Sequence, residues 1–315
     1  MYSLIKSLLL GLIASTAWAH TGNTHDKLIP ATETLQTKPV LETFIKDGKR
    51  VFHANGIPNH TVALFPNSGN PHQIAAQDYR FEVSAYPSVA KKPSPLIRQP
   101  FGIALNGVLF DPGTAEYYQK DRSSEWNYEA LSSGTRPLGL DENHAHVQPN
   151  GAYHYHGIPT ALFKALKKND ESMTLLGWAA DGFPIYGVYG HKVATDATSA
   201  LRQLTSSYQL KQGKRPSGSN SPGGAYDGSF TLDYKFVEGS GDLDECGGRY
   251  GVTPEFPAGT YYYVLTDDYP FIPRMFRGTP DPSFNIRGNR NRRGAPHGAT
   301  RPPPLPTKAS TKRAT

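Results

Sequence analysis

Four of the eleven histidines sit in two short runs, His144-Ala145-His146 and His154-Tyr155-His156. Neutral imidazole is a ligand for Zn, Cu, Ni and Fe, so the chemistry open to this stretch is transition-metal binding. Pro149-Asn150-Gly151 lies between the runs as a strong turn signal. A β-hairpin would bring the runs together, because side chains two apart in a strand share a face. Register decides whether they meet. A two-residue Asn150-Gly151 loop pairs Val147 with His154 and sends the two runs to opposite faces. A three-residue loop over Pro149-Asn150-Gly151 pairs Gln148 with Ala152, His146 with His154 and His144 with His156. Proline at the first corner and glycine at the left-handed position favour the longer loop. The sequence therefore predicts His144, His146, His154 and His156 as convergent metal ligands, with Zn or Cu as the expected ion. Ala145, Val147, Tyr153 and Tyr155 take the other face as a core side, small against large. A hydrogen-bonded histidine hairpin without metal stays open beside this reading.

Three acids are candidates for the catalytic work beside such a metal, as general base or as partners orienting a bound imidazole through its second ring nitrogen. Asp181 stands in LLGWAADGFPIYGVYG (175–190), an apolar double strand turning at Asp181-Gly182-Phe183-Pro184. An unpaired charge there is costly, so Asp181 either caps the turn or faces a cation or substrate beside the hairpin. Asp244 and Glu245 belong to the glycine-rich loop GSGDLDECGG (239–248). That loop can instead bind Ca²⁺, although it lacks EF-hand spacing, or form a solvated acidic turn.

The elements that must position these groups are short. Gly 31 and Pro 27 argue for many turns, and 18 Tyr with 14 Phe supply an ample core. The expected fold is mainly β with a few short helices, a β-rich α+β arrangement of antiparallel hairpins in a single main domain. FGIALNGVLF (101–110) reads as two buried strands around Asn106-Gly107. Helices are expected over Thr114–Lys120, Ser124–Leu131 and Thr160–Lys168, with Thr or Ser caps. No G-x-S-x-G elbow, P-loop or dinucleotide fingerprint occurs, which argues against serine hydrolase, nucleotide-dependent and nicotinamide chemistry. The single cysteine, Cys246, excludes an internal disulfide.

Residues 1–19 read as a secretory signal: Lys6, an apolar run from Leu8 to Ala14, and Ala17-Trp18-Ala19 as a cleavage site. The expected location is secreted or periplasmic, with no transmembrane segment. Cleavage leaves His20 as an amino terminus able to chelate copper. Residues 20–50 read as a loosely attached lead-in and 280–315 as a disordered basic, proline-rich tail. The net charge of +6 comes from that tail, where 287–315 holds eight Lys or Arg and no acid. The rest is mildly acidic, so the folded domain is not expected to bind nucleic acid.

Tyr153-His154-Tyr155-His156 within GAYHYHGIP resembles the string for which YHYH-domain proteins are named. The resemblance extends over Asn55-Gly56-Ile57-Pro58, FGIALNGVLFDP, NHAHVQPNGAYHYHG, GWAADGFPIYG and LDECGGRYGVTPEFPAGTYYYVLT. It implies one exported domain over 51–279 and brings no reaction with it. Similar proteins can carry a histidine where this chain has Tyr261-Tyr262-Tyr263, so no ligand is expected from that strand. Two functions fit: an exported metalloenzyme doing metal-dependent hydrolysis or oxidation on an unknown small molecule or glycan, and a non-catalytic metal-binding or glycan-binding protein whose tyrosine-rich strands stack on sugar. An open coordination position in a cleft favours the first, a closed four-histidine shell the second.

Overall fold

The structure is a computed structural model that describes residues 29–30, 37–97, 99–132 and 138–286. The expected leader at 1–19, the His20 terminus and the basic stretch 287–315 lie outside the described residues.

The fold is mainly β, built from short strands in two principal sheets. Strands β1 (Leu41–Lys46), β2 (Lys49–Ala54) and β3 (Tyr79–Ser84) form an antiparallel three-stranded sheet. Burial along β3 alternates with the period of a half-buried strand: Tyr79, Phe81 and Val83 point inward, Arg80 and Glu82 outward. The second sheet has eight strands: β4 (Gly102–Ala104), β5 (Leu109–Phe110), β6 (Ala145–Val147), β7 (Tyr153–Tyr155), β8 (Leu175–Ala179), β9 (Pro184–Tyr186), β10 (Gly248–Gly251) and β11 (Thr260–Val264). Their order across the sheet is β10-β11-β9-β8-β4-β5-β7-β6. Neighbours are antiparallel except β5 with β7 and β9 with β11, which are parallel. Phe52, Phe81 and Val83 of the small sheet share one apolar core with Ile103, Phe110, Tyr153 and Tyr155 of the large one.

The histidine hairpin is β6–β7, at one edge of the large sheet. Its register pairs His146 with His154, Val147 with Tyr153 and Ala145 with Tyr155. The Gln148 amide donates to Ala152 O at 2.9 Å and the Gly151 amide to Gln148 O at 2.8 Å, which closes the expected three-residue loop. Gly151 has φ +85°, a conformation that favours glycine. A Cβ on it would also lie 2.5 Å from the Ala75 Cβ.

Three expectations need correction. Residues 41–50 are not a loose lead-in, because β1 and the start of β2 pair along their full length. Residues 280–286 are folded and not part of a disordered tail; Phe284 is fully buried and stacks on Phe81 with ring centroids 4.3 Å apart. The helices expected over 114–131 are absent but for a 3₁₀ turn at Tyr118–Lys120. Tyr117 bridges Asn127 and Tyr128 bridges Phe230, so the segment pairs in extended form while Trp126 and Tyr128 pack on Phe230. Helix α1 (Thr160–Leu166) forms where expected. Its cap is not Thr160: Asn143 Oδ1, from the entry to the hairpin, accepts the Ala161 amide at 2.9 Å. No helix among the described residues is long and apolar enough to cross a membrane.

Replacing Gly151 with Ala tests the turn. Left-handed strain alone costs an alanine about 1–2 kcal/mol, and the Ala75 backbone crowds the new methyl, so urea unfolding should show a loss of at least that size. An unchanged midpoint would show that the turn does not hold the hairpin in register.

Candidate metal centre

His146, His154 and His156 converge, with one ring nitrogen from each lying within 4.8 Å of the others. Their ring centroids are separated by 4.7–4.8 Å. His154 and His156 are buried, and His146 is half-buried. His156 lies one residue beyond β7, but its amide donates to His144 O at 2.7 Å, so the ladder continues and keeps its ring on the shared face.

The expected fourth ligand, His144, is not there. It has φ +53° and ends a turn in which its amide donates to Asp141 O at 3.0 Å. The strand begins only at Ala145, so the period-two argument stops one residue short of it. Its Nδ1 donates to Ile158 O at 2.8 Å instead.

Backbone carbonyls orient the three rings. Nδ1 approaches a backbone carbonyl in each ring: Leu138 O at 2.8 Å for His146, Ala152 O at 3.2 Å for His154 and Pro112 O at 3.4 Å for His156. A carbonyl only accepts, so these contacts assign the proton to Nδ1 and the lone pair to Nε2 in His146 and His154, while the 3.4 Å contact of His156 is long enough for its Nε2 to carry the proton instead. The Nε2 atoms of His146 and His156 then face each other at 3.1 Å. Both rings resist a second proton. Burial, then the neighbouring His154, holds His146 down at about 4, and burial with His154 and His146 pushes His156 further below its ordinary value. Two tetrahedral ligands at about 2.05 Å from one ion would sit about 3.3 Å apart. Three such ligands all sit about 3.3 Å apart, so a pair at the 4.8 Å limit must close by about 1.5 Å, a side-chain adjustment. The donor set fits a divalent transition metal.

The tyrosine face of the same ribbon is locked into the core. Tyr153 and Tyr155 are fully buried. The Tyr153 hydroxyl donates to Asp141 Oδ2 at 2.7 Å. The Tyr155 hydroxyl accepts from Asn106 Nδ2 at 2.9 Å and donates to His60 Nε2 at 2.6 Å, while His60 Nδ1 donates to Thr61 O. Tyr186, Tyr262 and Tyr263 are fully buried as well. These five tyrosines are therefore closed to sugar stacking, whereas Tyr250 of β10 is exposed.

The three candidate acids lie elsewhere. Asp181 accepts from the Tyr263 hydroxyl at 2.5 Å, the Gly278 amide at 2.8 Å and the Phe183 amide at 3.3 Å, so it caps its own turn. Burial raises it to about 6. It follows β8, three strand spacings of about 4.8 Å from β7. Asp244 accepts from the amides of Cys246 and Gly248 and from the Tyr261 hydroxyl, pinning the start of β10. Glu245 is exposed, and only its carbonyl is engaged, by the Tyr208 hydroxyl. Both precede the strand at the opposite edge of the sheet from the histidines. The acidic loop gathers no Ca²⁺ site either: Asp242 takes Arg202 and Thr205, and the histidine trio is the one ligand grouping among the described residues.

Asp111, which reads in sequence as a plain turn residue in Asp111-Pro112-Gly113, is the carboxylate at the site. It is buried, accepts from Gln148 Nε2 at 2.9 Å, and acts electrostatically on His146. A cleft of about 1160 Å³ opens beside the trio. Its lining includes His146, His154, His72, Tyr79, Arg122 and Glu116. Lone residues such as His60, His72 and Asp111 carry no spacing pattern, which is why sequence reasoning passes over them.

Residues 80–278 match the profile of a family described as YHYH protein. No curated protein and no solved structure gives a significant match.

The depressed basicity of His146 has a sign that can be tested. Between about 6.5 and about 4 the unfolded chain binds the proton and the folded chain refuses it, so this contribution is complete above 6.5 and is lost as pH falls through the window. Asp181, raised to about 6, works the other way there. The histidine contribution is therefore read as a difference. With chelator present, wild type should lose more stability than His146→Gln between pH 7 and pH 4.5, measured by urea unfolding. Equal losses would show that His146 titrates normally.

Proposed function

The chain belongs to the YHYH protein family, and because that membership carries no reaction, we propose a function from the site itself: an exported metalloenzyme whose metal is held by His146, His154 and His156. The observation that supports this most is the Nε2–Nε2 approach of 3.1 Å between His146 and His156. Two Nε2 atoms at that distance stand close to the spacing of about 3.3 Å between two ligands of one tetrahedral ion, and a cation between them would take up both lone pairs.

Three protein ligands beside an open cleft are the arrangement of catalytic centres, whereas structural centres close the fourth position with protein. A divalent metal held there by His146, His154 and His156 would supply Lewis acidity. The chain's own residues hold and orient. The Leu138, Ala152 and Pro112 carbonyls orient the three rings, and Asp111 places negative charge beside His146. The nitrogen-only donor set suits Zn²⁺, for hydrolysis, and Cu²⁺, for oxidation. Residues 1–19 are proposed as a cleaved export signal, so that the mature chain begins at His20.

Elemental analysis of untagged protein should find about one Zn or Cu per chain, and added metal at a hundredfold over its Kd should raise stability by about 2.7 kcal/mol. Asp181→Asn and Asp244→Asn should keep the metal, and the double change His154→Ala with His156→Ala should lose it. A wild-type protein that holds no metal and gains no stability from added Zn²⁺ or Cu²⁺ would sink the reading. Intact mass of exported protein should start at His20; a mass that includes Met1 would refute the export signal.

A further inference from the structure

Tyr79 belongs to the lining of the cleft, and its side chain ends in a buried polar atom with nothing to bond. Tyr79 begins β3 and is 6% exposed, and its hydroxyl is buried without a hydrogen-bond partner among the described residues. Leaving a buried hydroxyl unsatisfied is costly. Its position relative to the histidines is held from two sides. The segment before β3 grips the tip of the hairpin: the Ala75 amide donates to Gly151 O at 2.9 Å, Gln77 Nε2 to Asn150 O at 3.1 Å and Asn150 Nδ2 to Gln77 Oε1 at 3.2 Å. Asp111, which acts on His146, also acts on the Tyr79 phenol. Burial, with Asp111 second, raises that phenol above its ordinary value, so it keeps its proton and offers a donor. What completes it is an acceptor oxygen.

Charge narrows the acceptor. Among the lining residues, Arg80 and Asp78 pair at 3.2 Å. Arg122 lines the same cleft, is exposed, and has no ion-pair or hydrogen-bond partner among the described residues. The formal charges of Arg80 and Arg122 cancel those of Asp78 and Glu116. Three neutral imidazoles leave a divalent metal its full charge, so the loaded cleft stays positive even with Asp111 counted. A cleft of about 1160 Å³ exceeds what a drug-sized ligand fills, which leaves room for a longer chain.

We propose that the cleft takes an extended ligand bearing an anionic oxygen, a carboxylate or a phosphate, with Tyr79 Oη donating to that oxygen beside the metal and Arg122 balancing its charge. This rests on the metal reading above and names the substrate class of that site. Tyr79 is thus a recognition residue whose hydroxyl serves no purpose in the empty fold.

The test uses full-length protein loaded with Co²⁺, with acetate and inorganic phosphate titrated against its visible spectrum. Wild type should respond to at least one of them, and the stronger response tells a carboxylate ligand from a phosphate ligand. Tyr79→Phe should weaken that binding about tenfold yet leave the metal-free urea midpoint unchanged or slightly raised, since it deletes an atom that bonds to nothing. Arg122→Gln should weaken binding comparably, and Arg80→Gln should change it less than twofold. The inference is overturned if loaded wild type binds neither anion, if Tyr79→Phe binds both as tightly as wild type, or if that change destabilises the metal-free fold. Failure of wild type to take up Co²⁺ is a separate result and removes the metal reading, with this inference after it.

Discussion

A β-ribbon has two faces, and the whole site depends on which residues each face receives. In the β6–β7 hairpin the histidines fall on one side and Tyr153, Tyr155, Ala145 and Val147 on the other. A slip of one residue would exchange the faces and drive imidazoles into the core. Three interactions oppose that slip. Gly151 closes a loop whose conformation favours glycine. Tyr153 and Tyr155 fill the core and hydrogen-bond to Asp141, His60 and Asn106. The β7 backbone pairs on its other edge with β5. The tyrosines of the YHYH string are thus the anchors, and the histidines are what they anchor.

Anchoring matters because the trio is an unfavourable object without a ligand. Burying imidazoles removes them from water, and the approach of two Nε2 atoms to 3.1 Å leaves at most one of them a proton to share. The fold tolerates this because each Nδ1 keeps a carbonyl partner. Those same partners prevent the rings from turning away, so the cost of bringing the imidazoles together is met during folding, by core packing. On the proposed metal reading, such preorganisation would raise affinity by cutting what binding must order.

Sequence made the ribbon legible because its signals are local. The Pro-Asn-Gly turn, the period of two and the alternation of apolar and aromatic residues all act within a dozen residues of each other. The register followed from them, and so did the hairpins at 101–110 and 175–190. Local rules failed where the chain leaves its pattern. His144 sits in a turn with positive φ, so strand periodicity does not govern it. Residues 114–131 carry helix-like caps but pair in extended form with each other and with Phe230, a contact more than a hundred residues away in the chain. The acids failed for a topological reason. Asp181 and Asp244 are plausible partners by type, but the sheet order places their turns away from the histidine edge. Asp111 arrives at the site only because β5 lies beside β7 in parallel, a pairing that no short motif announces.

The turn taken by His144 bears directly on the proposed metal reading. Four imidazoles converging from one face of a ribbon would close a tetrahedral shell and leave a metal that stabilises the hairpin and does little else. With His144 turned to Ile158 O, three imidazoles converge, and His146 and His154 stand in the wall of the cleft. Imidazole is a neutral donor, so on the proposed reading no ligand would lower the charge of a bound divalent ion, which would be a stronger electrophile than one sharing carboxylate ligands. On that reading the turn at 141–144, which looks in sequence like a mere approach to the hairpin, is the element that would separate a structural metal site from a reactive one.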